Sequence, residues 1–518
     1  MVPDDALAGA EETYLDARDL LDRLNIARVR GDDDLGLAGA AASAVADARA
    51  AIDDLAEVDT AGWDSADLRA LTVLKRWSAA VDVQEDTWPG TDESWVVTAG
   101  RGFAALSARL QSEYAAAQGA VDTGEVIMTR LAVLERLAVE PDAEQRRHLF
   151  LSLEPVWQSI DGDDGYSSPY RRLIEMSARR WAAGGSPVER NARALGIDPA
   201  GIDDQLVAIL STWRAASGGT PVQPWDWWFV SGAASRALAT TAPLQHLRDI
   251  NDAWHSALGA DPAELAVGYD IVPRPGRPPV PVAFTDFGAR PRRLPGGGRH
   301  PARAWVMAAY TGGGLGELTE LVHETGHAIH IAAIDTRPAF ADWPDSDAFT
   351  EALAELTALD TAEPAWQGHW LGTSLPEAVS LRGRYADVML DICWALLEIR
   401  LHADPDLWPS EVWAELTSTY LGITEHPELS WWAMRGQLVQ EPGYMVNYAL
   451  GPIIAADLRA AIRAERGDWS AGDPGWYGWV SEHVYRWGLE RTSAEVLTGV
   501  LGRAPTADAL LAEVARAA

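Results

Sequence analysis

Leu318-Thr319-Glu320-Leu321-Val322-His323-Glu324-Thr325-Gly326-His327-Ala328-Ile329-His330 is the stretch around which the rest of the chain organises. Leu318, Leu321, Val322, Thr325, Ala328, Ile329 and Ala332 recur at three- and four-residue spacing, which predicts an amphipathic helix between Gly312-Gly313-Gly314 and Pro338. Glu320, His323, His327 and His330 fall on its other stripe. Positions i and i+4 share one helix face, so the imidazoles of His323 and His327 can reach a single Zn²⁺ while Glu324 reaches the water beside it. The plain alternative is a solvated face with two unrelated histidines. Gly326 inside a helix costs roughly 1 kcal/mol relative to Ala, so it predicts close approach of another segment or of a substrate.

A catalytic zinc site takes three protein ligands and keeps one position open. Downstream, Asp347-Ala348-Phe349-Thr350-Glu351-Ala352-Leu353-Ala354-Glu355-Leu356 reads as a second helix, apolar at Phe349, Ala352, Leu353 and Leu356. Glu351 and Glu355 stand together on a different stripe. Glu351 is the expected third ligand. Glu355, one turn on, is then an acceptor for the outward N–H of a liganding histidine, fixing that ring's tautomer and orientation. On spacing alone the two roles can be exchanged, and an ordinary acidic stripe stays open as well.

Residues His323-Glu324-Thr325-Gly326-His327-Ala328-Ile329-His330, followed by Phe349-Thr350-Glu351-Ala352, resemble the thimet oligopeptidase and oligopeptidase F family of zinc metallopeptidases. That family's signature is HExGHxxH with a glutamate ligand on the next helix. Pro224-Trp225-Asp226-Trp227-Trp228-Phe229 is similar to its upstream Trp-Asp segment, and Tyr444-Met445-Val446-Asn447-Tyr448-Ala449-Leu450-Gly451 to its tyrosine motif. Residues 349–359 also resemble the glutamate helix of angiotensin-converting enzyme. The resemblance covers residues 221 to about 500; before that, the chain matches only in being helical.

What the resemblance implies is a mainly α-helical fold of two lobes around a deep channel, with a small β region beside the active-site helix. It implies one Zn²⁺ held by His323, His327 and Glu351, short peptides as substrates, and endopeptidase or dipeptidyl carboxypeptidase action. Glu324 would take a proton from water and pass it to the leaving amine. Tyr444 and Tyr448, one turn apart if that segment is helical, are candidate donors to the developing oxyanion, or else core or channel-wall residues. His330 matches the family's extra histidine, as a structural residue or a substrate contact.

One departure matters. The family places a histidine shortly before the tyrosine motif, whereas Arg435-Gly436-Gln437-Leu438-Val439-Gln440-Glu441-Pro442-Gly443-Tyr444 contains none. Gln440 can donate a hydrogen bond from about the right place but carries no charge, and His426 lies further back than the pattern allows. Two other readings therefore stay open: a peptide-binding protein that keeps the zinc helix without turnover, and a specialised hydrolase acting on an amide of a maturation intermediate. Intact Glu324 argues against the first, since a binder has no use for a general base.

With 518 residues, 47% of them hydrophobic, the chain can bury a large core. No run approaches the roughly 18 consecutive apolar residues of a membrane span, and residues 1–10 lack the basic start and apolar core of a leader, so a cytoplasmic location is expected. Cys393 is the single cysteine, which excludes an internal disulfide and a cysteine metal cluster. A formal charge of −34 argues against nucleic acid and anionic membrane as partners and is compatible with cationic peptides. A solvated acidic surface that maintains solubility is the plainer use of that charge.

Residues 1–220 read as successive helices, the first carrying Leu7, Ala10, Tyr14, Ala17, Leu21 and Leu24 before Gly31, and residues 221–518 as the catalytic region. Between 272 and 303, Pro273, Pro275, Pro278, Pro279 and Gly296-Gly297-Gly298 predict loop. Ala304-Trp305-Val306-Met307-Ala308-Ala309-Tyr310 then reads as a strand beside the active-site helix. In the resembled family such a strand pairs with the substrate backbone, which makes Tyr310 a candidate substrate contact. Trp225, Trp227, Trp228, Trp431 and Trp432 are core or aromatic wall, and Arg435 is a carboxylate-binding candidate or a structural ion pair.

Overall fold

Runs with apolar residues at three- and four-residue spacing close into helices, and in the computed structural model these make up most of the described residues, with only small sheets between them. The described residues are 3–32, 34–82, 93–161, 165, 167–218, 221–276, 280, 282–293 and 298–518; Pro278, Pro279, Gly296 and Gly297 lie outside them. The chain divides into two compact units, each drawn from three separated stretches. The first comprises Met1–Trp88, Thr241–Asp360 and Ala461–Arg503, and the second Pro89–Thr240, Thr361–Ala460 and Ala504–Ala518.

In the first unit, the Pro3–Arg30 helix buries Leu7, Ala10, Tyr14, Ala17 and Leu24 and ends at Gly31, whose φ is +64°. It packs against the alanine-rich Leu35–Asp54 helix. That second helix qualifies one expectation: by length and composition it is apolar enough to cross a membrane. It nevertheless carries Asp47 and Arg49, and it turns Ala41, Ala48 and Ile52 inward.

A three-stranded sheet in the same unit orders its strands Gly268–Asp270, Arg303–Met307, Phe284–Ala289. The middle strand pairs in parallel with the first, Trp305 opposite Gly268, and antiparallel with the last, Met307 opposite Phe284. It begins at Arg303 and ends at Met307, so Tyr310 lies beyond it, contrary to the expected 304–310 strand. Its central position also removes the edge on which a substrate backbone was expected to pair: both rows of its backbone groups are already engaged.

The second unit is built around the Glu377–Ala403 helix, which buries Met389, Cys393, Trp394 and Leu397. Trp394 packs on Trp413 at 4.7 Å between ring centroids, and Trp413 on Trp431 at 4.8 Å. Trp431 in turn meets Phe150 and Trp228. Trp227, Trp431 and Trp432 are buried, so this aromatic group is chiefly core. Burial also pushes the Cys393 thiol well above its usual range, which leaves it inert.

His255, buried in the first unit, and His402, half-buried in the second, each contribute to the pH dependence of stability. Burial lowers His255 and His402 to about 4 each, against which a hydrogen bond to the i−4 carbonyl works only weakly. A base depressed in the folded state contributes stability that is complete above about pH 6.5 and is lost as pH falls toward about 4, at up to about 1.4 kcal/mol per pH unit for each ring. Between pH 7 and pH 5 the urea-unfolding midpoint of His255→Gln is therefore expected to gain on that of wild type, because the variant lacks this loss. An unchanged pH slope in that variant would remove His255 from the account.

Candidate metal centre

The Gly314–Ala333 helix is fixed at its entrance by backbone geometry. Gly313 has φ +72°, and a Cβ there would stand 2.5 Å from the Leu244 nitrogen. The Glu317 carboxylate accepts the N–H groups of Thr311 at 3.0 Å and Gly312 at 3.1 Å, and also that of Gly313. This carboxylate both satisfies orphan donors and complements the positive end of the helix. Leu315, Leu318, Leu321, Val322, Ala328 and Ile329 face the interior.

Against it lies the Asp347–Ala358 helix, begun by Ser346, whose hydroxyl accepts the Phe349 N–H at 3.4 Å. The two helices touch backbone to backbone at Gly326. A Cβ on that residue would fall 2.7 Å from the Ala354 oxygen and 2.9 Å from its Cα. The close approach expected from the sequence is therefore made by protein. Tyr477 donates to the Ile329 carbonyl at 3.0 Å and Tyr485 to that of Leu353 at 3.1 Å, tying each helix to the end of the unit.

This contact brings the expected ligands together. One nitrogen each of His323 and His327 and one oxygen of Glu351 all lie within 4.8 Å of one another. Glu351 Oε2 is 3.3 Å from His323 Nε2 and 3.8 Å from His327 Nε2, and the two rings stand at 88°. Glu355 takes the other side of the first histidine, its Oε1 3.2 Å from His323 Nδ1. Burial opposes charge on His323, but the hydrogen bonds and charges of Glu351 and Glu355 outweigh it and hold the imidazolium well above its usual range. Burial likewise opposes charge on Glu351, yet the two imidazoles hold its carboxyl below the usual carboxylate range. The carboxylates of Glu351 and Glu355 on either side of His323 favour a positive charge there.

Glu324 is buried beside this cluster. Thr285, on the Phe284–Ala289 strand, has its hydroxyl 2.7 Å from Glu324 Oε2 and 2.8 Å from the Glu324 carbonyl oxygen. Its single proton can go to either. The phenol of Tyr269 lies 3.1 Å from the Thr325 hydroxyl on the same helix. Tyr310 is buried after its strand; burial first, then the carboxylates of Glu320, Glu324 and Glu317, raises its phenol well above the usual range. His330 is 1% exposed and packs against Trp343 and Tyr485, which places it in the packing of the helix and away from solvent. Thr285, Tyr269 and Trp343 were not singled out from the sequence, because nothing local marks a residue that meets the helix only through the fold.

The remaining candidates belong to the second unit. Arg435 pairs with Asp391 and lies over the Trp394 ring at 4.5 Å, the structural ion pair that was one of its two readings. Its guanidinium is also 5.9 Å from the Tyr448 ring centre. Tyr444 precedes the Val446–Arg466 helix instead of lying within it, yet its ring still meets that of Tyr448 at 5.6 Å. Gln437 donates to the Tyr448 hydroxyl at 3.1 Å, while Gln440 ends its short helix exposed.

No family model matches the chain, and no curated protein matches it in sequence. Solved structures do match. The M32 carboxypeptidase of Deinococcus radiodurans R1 superposes with a TM-score of 0.58 at 14% identity, over 99% of this chain and 98% of that one. A chain provisionally named oligoendopeptidase F gives 0.58 at 14% identity over 97% and 94%, and Pz peptidase A bound to an inhibitor gives 0.58 at 14% over 90% and 83%. At such identities the likeness is one of fold, and the mainly α-helical fold of these peptidases is the fold of this chain.

Because Gly326 has no room for a side chain, Gly326→Ala is expected to force the two helices apart and to lower stability by about 1–3 kcal/mol despite alanine's better helix propensity. Thermal unfolding of the metal-free chain measures this. A stabilised variant would show that the contact yields without cost.

Proposed function

We propose that this chain is a zinc-dependent peptidase acting on short peptides. The observation that carries the reading is the convergence of His323, His327 and Glu351 within 4.8 Å on two helices in backbone contact. Two imidazole nitrogens and one carboxylate oxygen are the donor set of a catalytic zinc site, with the fourth position left for water or substrate. The placing of the Glu351 and Glu355 carboxylates beside His323 suits a cation there. The naming of the fold neighbours as carboxypeptidase, oligoendopeptidase and peptidase supports peptide bonds as the target.

Zinc, when bound, supplies Lewis acidity toward a carbonyl oxygen and makes water a better acid. His323, His327 and Glu351 would hold it, with Glu355 accepting the outward N–H of His323 and so selecting its tautomer. Glu324 takes one proton from the attacking water as the water oxygen adds to the carbonyl carbon. It then delivers that proton to the amide nitrogen as the C–N bond breaks, leaving an acid and an amine. The Thr285 hydroxyl, when it donates to Glu324 Oε2, leaves Oε1 as the basic oxygen. An oxyanion role for Tyr444 and Tyr448 rests on the sequence resemblance alone.

The test pairs wild type with Glu324→Gln: bound zinc is measured, both are incubated with a mixture of short peptides, and products are identified by mass. Equal zinc content and a loss of cleavage of about 100-fold or more are expected. Product masses also assign the cut to a chain end or to the interior. Equal cleavage by both would remove Glu324 from the chemistry; peptide binding without cleavage would make the chain a binding protein, and a very narrow substrate set would favour the specialised amide hydrolase. Separately, Glu351→Ala should lose metal more completely than Glu355→Ala, for which a 10- to 100-fold weakening is of the order expected. The reverse order would exchange their roles.

A further inference from the structure

The two histidines of the centre are supported in different ways. His323 is oriented by a hydrogen bond to Glu355, whereas His327 Nδ1 is buried and has no hydrogen-bond partner among the described residues. A ligating histidine nearly always has its second nitrogen fixed by a polar partner. What meets His327 instead is an indole: the Trp343 ring lies 5.7 Å away at 83°, an edge-to-face contact, and the same indole touches His330 at 5.7 Å and Phe287 at 5.2 Å.

Trp343 is itself fixed from its neighbour. Its backbone N–H donates to Asp342 Oδ1 at 2.9 Å. Asp342 is buried and receives Arg18 at 2.8 Å, Arg290 at 2.9 Å and the Tyr14 phenol at 3.0 Å. Arg290, 1% exposed, also pairs with Asp22 and lies 4.3 Å over the Phe287 ring. Its backbone N–H donates to Asp19 at 3.0 Å. Tyr14, Arg18, Asp19 and Asp22 all belong to the Pro3–Arg30 helix, more than three hundred positions before the ligand they stand behind.

Resting on the zinc reading above, we propose that Trp343 is a positioning residue that holds the His327 imidazole in its coordinating orientation by ring packing, and that the Asp342–Arg290–Arg18 cluster holds Trp343, making the N-terminal helix part of the metal site's support. The centre then has one ligand set by a hydrogen bond and one set by shape. The second kind of support has no proton to lose and is insensitive to the charge state of the first.

The full-length chain is tested as wild type, Trp343→Phe, Trp343→Leu and Asp342→Asn. Phe keeps an aromatic edge, Leu keeps bulk without a ring, and Asn keeps shape without charge. Zinc affinity is read by competition with a chromophoric chelator, the visible spectrum of the Co²⁺ form reports ligand geometry, and the thermal midpoint of the metal-free chain reports folding. Trp343→Leu is expected to weaken zinc by about 10-fold or more and to alter the Co²⁺ spectrum, with Trp343→Phe near wild type on both and Asp342→Asn in between. Phe and Leu behaving alike would overturn the ring-packing role, and an Asp342→Asn that lowers the midpoint with unchanged zinc affinity would overturn the link to the N-terminal helix. Absence of zinc binding by wild type would instead bring down the zinc reading itself.

Discussion

The Ala354 carbonyl lies where a methyl group on Gly326 would have to stand, and the candidate centre depends on that contact. Side chains of Glu and His reach only a few ångströms from their backbones, so ligands on separate helices converge only if the helices nearly touch. A glycine in the middle of a helix costs propensity. Here the cost is offset by an approach close enough to bring a carboxylate oxygen 3.3 Å from one imidazole and 3.8 Å from the next.

Once assembled, the cluster is electrostatically directed. Glu351 and Glu355 flank His323, and the ring keeps a proton that burial would otherwise remove. Carboxylates gathered this closely at a half-buried site repel one another unless a cation sits among them. The divalent ion proposed for these atoms would answer that need. Glu324 has Thr285 as its partner, which suits the proton-transfer role proposed for it.

Support for the centre is drawn from remote parts of the first unit. Tyr477 and Tyr485, near the chain's end, hold the carbonyls of Ile329 and Leu353. The N-terminal helix closes on the loop at Asp342 through a buried network in which Asp342 meets two arginines and Arg290 meets Asp19, Asp22 and Asp342. Discontinuous units of this sort tie the geometry of a few atoms to the folding of the whole unit, because displacing any one stretch leaves buried charges uncompensated.

The histidine helix, the glutamate helix and the first helical stripe were legible in the chain because their information is local: three- and four-residue spacing defines a face, and a glycine in that face announces a close neighbour. The donor set was legible for the same reason. Strand order was not. That Arg303–Met307 would lie in the middle of its sheet depends on Gly268–Asp270 and Phe284–Ala289 arriving on either side, and no pattern within the strand records which edges will be filled. Equally invisible were the partners that meet the centre from a distance, Thr285 on Glu324, Trp343 on His327 and Asp342 among the arginines of two separate segments. Sequence by itself determined which residues could bind a cation, since that is a matter of chemistry and helical period; only the tertiary structure decided how each is oriented, since orientation comes from contacts between segments that lie tens of residues apart, as Thr285 and Glu324 do, or hundreds, as Tyr14 and Asp342 do.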